Sequence, residues 1–133
     1  MHSIRLLAVL AIGVAVNTAL AQQAPPSENK GMSASQLSGL DLSKQGLNDL
    51  DRRQMRMRQI DIEPGGVVAL HSHAQRPALT YVLKGTIVEY RKGSPDRTYA
   101  PGEVITESTD VDHWVENKGR EPVTLISVDL FRE

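Results

Sequence analysis

Three histidines are the residues in this chain whose type and spacing could do chemistry. His71 and His73 stand two apart in a stretch that reads as a strand. Their side chains therefore leave the same face a few ångströms from each other, as two ligands of one metal ion must. His113 follows roughly 40 residues later, at the start of another strand, preceded by Asp110-Val111-Asp112 and followed by Trp114. Neutral imidazoles suit Zn, Cu, Fe, Ni and, with oxygen donors, Mn. There is no cysteine, which excludes a disulfide framework, a thiolate metal site, an iron–sulfur cluster and a cysteine nucleophile. Metal chemistry here must use histidine and carboxylate. An isolated His-x-His pair is more often two surface histidines, so its meaning depends on the elements around it.

Those elements must come from one domain, because the chain has 133 residues. A net charge of -1 offers no basic surface for nucleic acid. Met1 to Arg5 is short and basic, Leu6 to Val16 is apolar, and Ala19-Leu20-Ala21 precedes Gln22-Gln23. That order predicts a secretory signal peptide over 1–21 and export to a periplasm or the outside. The apolar run is too short for the roughly 20 residues of a membrane-spanning helix. Residues 22–38, rich in Gln, Pro, Ser, Gly and Ala, read as a flexible leader. A short edge strand is expected at Leu40–Ser43, and the globular domain over 39–133.

From Arg53 onward the pattern is β. Runs of four to ten residues, punctuated by Gly and Pro at intervals near ten, indicate an all-β sandwich or barrel. Strands are expected at Arg53–Ile62, Val67–His73, Thr80–Leu83, Thr86–Arg91, Val104–Thr106, His113–Glu116 and Val123–Leu130, with turns at Glu63–Gly66, Lys92–Pro95 and Tyr99–Gly102. Their valines, leucines and isoleucines, among them Leu79, Val82, Leu83, Ile87, Val104, Ile105, Val115 and Leu125, supply a core that is sufficient without being generous. Burial across a dimer interface would help.

Gly65, His71, His73 and Gly85, with Gly102, His113 and Asn117, resemble the two motifs of the cupin superfamily, G-x5-H-x-H-x3,4-E-x6-G and G-x5-P-x-G-x2-H-x3-N, with every gap of the expected length. The resemblance implies a double-stranded β-helix, or jelly-roll, barrel with a metal in its mouth, often homodimeric. Ala78 stands where the family has its glutamate ligand, and Ser108 and Asp110 replace the second motif's Pro and Gly. Metal ligands are thus expected to be His71, His73 and His113, holding a divalent ion (Fe, Mn, Zn, Ni or Cu). A three-histidine set lacks one negative charge, which favours a small, oxygen-rich or anionic molecule at the open positions.

Glu107, Glu89 and Gln75 are the candidates to replace the missing glutamate; Glu107, beside Ile105 and Val111, is preferred, and is also the candidate catalytic acid or base. Arg76, Tyr81 and Trp114 are candidate pocket residues, while Asn117 is expected to order a turn. Met55 and Met57 with Arg56 and Arg58 read as a half-buried edge. Two classes of function fit: a metal-dependent dioxygenase- or isomerase-type enzyme, and a non-catalytic ligand- or metal-binding module of the cell envelope.

Overall fold

Strand side chains alternate between two faces, and in this chain the inward face of each central strand changes from apolar to polar along its length. The structure, a computed structural model, describes residues 23–50 and 52–132; the expected signal peptide lies outside the described residues. Eight strands follow in order: β1 (Lys30–Asp41), β2 (Arg53–Ser72), β3 (Ala78–Lys84), β4 (Ile87–Arg91), β5 (Arg97–Tyr99), β6 (Val104–Glu107), β7 (Asp112–Glu116) and β8 (Val123–Arg132). They form one sheet in the order β5-β4-β7-β2-β8-β3-β6, with β1 added to β2. All pairings are antiparallel. The all-β, nearly closed barrel agrees with the expected fold class. Among the described residues no helix is long and apolar enough to cross a membrane.

Strand β2 organises the barrel. Its first half, Arg53 to Ile62, lies between β8 and β1, and its second half, Val67 to Ser72, pairs with β7. Two expected strands separated by a turn at Glu63–Gly66 are therefore one bent strand. Gly66 lets the backbones close at the bend, since a Cβ there would lie 2.6 Å from the Gly31 carbonyl oxygen. The expected flexible leader is also corrected in part. Residues 30–38 belong to β1, whose side chains are nearly all exposed. This strand is held by backbone pairing with β2 rather than by burial, so composition could not announce it. The expected edge strand at Leu40–Ser43 is the end of β1 followed by a 3-10 turn at Leu42–Lys44.

One end of the barrel is filled by Ile60, Ile62, Val82, Ile87, Ile105, Val115, Val123, Leu125 and Tyr99. Following the same inward positions to the other end gives Arg56 and Arg58 on β2, Ala78 and Thr80 on β3, Glu89 on β4, Glu107 on β6, His113 on β7, and Ser127 and Asp129 on β8. The apolar end supplies the stabilising burial; the polar end can carry chemistry. Leu79, Leu83 and Val104, expected in the core, point outward and are exposed. Strand β3 is apolar on both faces, so alternation alone does not tell which side faces in.

Asn117 closes the apolar end and is fully buried. Its Nδ2 donates to the carbonyls of Ile62 (3.0 Å) and Glu121 (2.9 Å), and its Oδ1 accepts from the Gly119 N–H (2.9 Å). Backbone bonds to Gly65 and Gly66 tie the same residue to the β2 bend. Asn117→Ala leaves these buried groups without partners, so we expect it to lower the unfolding free energy by about 2–3 kcal/mol in urea titrations. A loss under about 0.5 kcal/mol would contradict this role.

Candidate metal centre

Cross-strand register brings the histidines together. His71 on β2 pairs directly with His113 on β7, and His73 follows the end of β2, its N–H donating to the Val111 carbonyl (2.9 Å). The three Nε2 atoms lie 3.1 Å from one another in every pair. Each ring is held from behind through Nδ1: His71 by the Ala69 carbonyl (2.8 Å), His73 by the Arg76 carbonyl (3.0 Å), and His113 by Glu89 Oε1 (2.5 Å).

Those three partners are acceptors, so each Nδ1 carries the proton, and a neutral ring then presents a bare lone pair at Nε2. Three lone pairs converging at 3.1 Å repel one another unless a cation stands among them. The spacing suits one: the centre of such a triangle is about 1.8 Å from each corner, within the roughly 2.0–2.1 Å at which imidazole nitrogens would hold a divalent ion. His73 and His113 are buried and His71 is partly so. Burial disfavours the charged imidazolium, lowering the pKa of His71 and taking that of His73 down to about 4. These two rings are therefore neutral, as ligands must be.

Two carboxylates complete the surroundings in different ways. Glu89 lies behind His113, and also accepts from Tyr99 Oη (3.0 Å) and Arg91 Nε (2.9 Å). Burial alone would raise its pKa, but the bonds from His113 and Arg91 prevail and lower it. An ionised carboxylate on Nδ1 fixes the tautomer and raises the basicity of Nε2. Glu107, in contrast, stands on the same side as the Nε2 atoms, 3.6 Å from that of His73 and 3.7 Å from that of His113. It lies within hydrogen-bond distance of Thr80 Oγ1 (3.1 Å), and burial raises its pKa. Ala78, the residue in the family glutamate's place, pairs with Glu107 on one side and Asp129 on the other.

A cavity of about 470 Å³ opens beside the histidines, and Arg58, Arg76 and Glu107 also line it. Residues 27 and 29, from the segment expected to be a flexible leader, form part of its wall. Asn29 Oδ1 accepts from the Ala69 N–H (2.8 Å), and the Pro26 carbonyl accepts from the Leu70 N–H (3.0 Å).

Of the residues picked out in the sequence, His71, His73, His113, Glu107 and Arg76 share this cavity. Glu89 stands behind His113 instead of among the Nε2 atoms. Gln75 is exposed on the loop after β2, with its carbonyl accepting from Arg53. Tyr81 is 42% exposed on the outer face of β3. Trp114 stacks on Tyr90, with ring centroids 3.8 Å apart, and lines a separate cavity. Sequence reasoning did not pick out Arg58 and Asp129 as site residues. Their signal was available: Asp129 is an acid at an inward position of an apolar strand, in register with Arg56.

A family model for the cupin domain matches residues 58–129. No curated protein matches the chain. Among solved structures, a predicted oxalate decarboxylase from Thermotoga maritima is similar, with 23% identity, a TM-score of 0.59, and coverage of 75% of this chain and 80% of that one. A sugar phosphate isomerase of the cupin superfamily from Silicibacter pomeroyi has 21% identity and a TM-score of 0.59, over 76% and 60%. The cupin domain of an XRE-family transcriptional regulator from Enterobacter cloacae has 17% identity and a TM-score of 0.57, over 78% and 100%.

The support of His113 by Glu89 is testable by itself. We expect Glu89→Gln to weaken Zn²⁺ binding about tenfold in competition titrations while the far-ultraviolet circular dichroism is unchanged. Unaltered affinity would show that Glu89 does not act through His113.

Proposed function

Because this chain belongs to the cupin family, we propose that it is a metal-binding cupin in which His71, His73 and His113 hold one divalent ion at the polar end of the barrel, with a small, oxygen-rich anionic molecule as its ligand. The observation that carries this reading is the convergence of three Nε2 atoms whose rings are each committed through Nδ1. A bound ion would supply Lewis acidity or, if redox-active, electrons.

Glu107 is the carboxylate that we assign in place of the one missing at Ala78. What supports this is the direct pairing of the two positions across β3 and β6, together with the 3.6 and 3.7 Å approaches to His73 and His113. A neighbouring cation would reverse the effect of burial and keep this carboxyl ionised. Glu107 is also the one described residue beside the Nε2 atoms able to hold or accept a proton from a ligand, which favours an enzyme over a passive binding module. Decarboxylation, predicted for one structural neighbour, and isomerisation, the activity of another, fall within the chemistry such a site could support.

What supports a reading of export is the basic, then apolar, then small-residue order over 1–21. A homodimer is supported by an outer apolar face on which Leu79, Leu83 and Val104 are exposed.

Metal analysis of the purified protein tests the assignment. We expect about one ion per chain, reduced at least tenfold in His71→Ala and His113→Ala. Glu107→Ala should weaken metal binding about tenfold, and Ala78→Glu in that background should recover part of it. Wild-type protein that takes up no Zn, Mn, Fe, Ni or Cu would overturn the reading.

A further inference from the structure

Three arginines converge on one aspartate, and two of them line the cavity. Asp129 is almost fully buried. Arg56 grips it with two bonds, Nε to Oδ1 (3.0 Å) and Nη2 to Oδ2 (2.7 Å), and stacks over Phe131 at 4.0 Å from the ring centre. That pair is complete in charge and geometry. Arg58 Nη2 and Arg76 Nη1 then approach the same, already engaged Oδ2, each at 3.2 Å.

Each added guanidinium repels the others, so three on one carboxylate leave positive charge uncompensated. Glu107 is a second acid in electrostatic reach of Arg58 and Arg76, so the three arginines of the cluster outnumber the carboxylates, Asp129 and Glu107, before any metal is counted. The donors are also in surplus. A guanidinium has five N–H donors, yet among the described residues the Nη2 bond to Asp129 is the only one Arg58 makes, and its Nε is buried without a partner. Arg56 does not line the cavity; Arg58 and Arg76 do, beside the three histidines and Glu107.

We propose that Arg58 and Arg76 form an oxyanion subsite that selects a ligand bearing a carboxylate or phosphate group, with Asp129 as the positioning residue that holds both guanidinium groups at the cavity. This deepens the reading of a metal-bound anionic ligand and rests on it for where the ligand's other end is held. Such a ligand has an anionic group for the arginines and an oxygen donor for the metal. Asp129 makes the subsite rigid, so that the anion is met by donors already in place.

The test is calorimetric titration of malonate, phosphate and uncharged malonamide into the full chain, both metal-free and Zn²⁺-loaded, at low salt. In wild type we expect malonate or phosphate to bind and malonamide not to; which anion binds more tightly distinguishes the two groups. Arg58→Gln should weaken anion binding several-fold while Zn²⁺ affinity stays the same or rises, and Arg58→Gln/Arg76→Gln should weaken anion binding at least tenfold. Arg76→Gln alone, in a loop, should show a several-fold loss even if the double variant does not fold. Arg58→Lys/Arg76→Lys should recover only part of the affinity, because lysine keeps the charge and loses the fork. Anion binding by the Zn²⁺-loaded protein that is unchanged in the arginine variants and lost in His71→Ala would assign the anion to the metal alone and overturn the subsite. Absence of anion binding by wild type in both forms would also overturn it. If no metal binds, arginine-dependent malonate binding by the metal-free protein would sustain the subsite while the metal reading falls.

Discussion

The candidate site depends on where three imidazole protons are held. Each Nδ1 faces a fixed acceptor, and each Nε2 is thereby left as a lone pair aimed at a common point. The acceptors tie separate parts of the chain to that point. The Ala69 carbonyl belongs to the irregular stretch of β2 between Val68 and His71, which Asn29 and Pro26 of the N-terminal arm hold by neighbouring N–H groups. Arg76 offers its carbonyl to His73 and its guanidinium to Asp129. One loop residue thus links the orientation of a candidate ligand to the charge cluster beside it.

Buried charge is costly, and the polar end of the barrel keeps it only in compensated form. Glu89 is matched by Arg91, with the His113 and Tyr99 donors beside it. Asp129 is matched by Arg56 and held below the usual carboxylate range by its arginines, although burial alone would raise it. Among the described residues Glu107 has no such close cation, and burial raises its pKa. The same arrangement accounts for Ala78. Flanked in register by Glu107 and Asp129, a glutamate there would set three carboxylates side by side across β6, β3 and β8. A methyl group at 78 and a carboxylate one strand away avoid that repulsion while keeping an acid beside the histidines.

Much of this was legible in the sequence. The spacing of His71, His73 and His113 marks a candidate metal-ligand set, and the position of Glu107 among apolar neighbours points to an inward acid. What alternation could not give was the choice of face where both faces are apolar. Leu79 and Val82 on β3 are equally hydrophobic, yet one is exposed and the other buried. In Arg56-Met57-Arg58 the usual preference is inverted, with the arginines inward and the methionine outward, because Asp129 lies across the ladder on β8. That contact spans 73 residues of sequence between Arg56 and Asp129, and no local pattern reports it. Strand β1 was missed for a related reason: it is held by backbone bonds to β2, which composition does not record.

The measurement that bears most directly on the converging lone pairs is a long-range ¹H–¹⁵N correlation spectrum of the histidine side chains, recorded without metal and during Zn²⁺ addition. His71, His73 and His113 should all show the Nδ1–H form before metal, and all three Nε2 resonances should shift together and saturate at about one equivalent. An Nε2–H form at any of the three before metal, or a shift confined to one ring, would contradict a single centre built from the three.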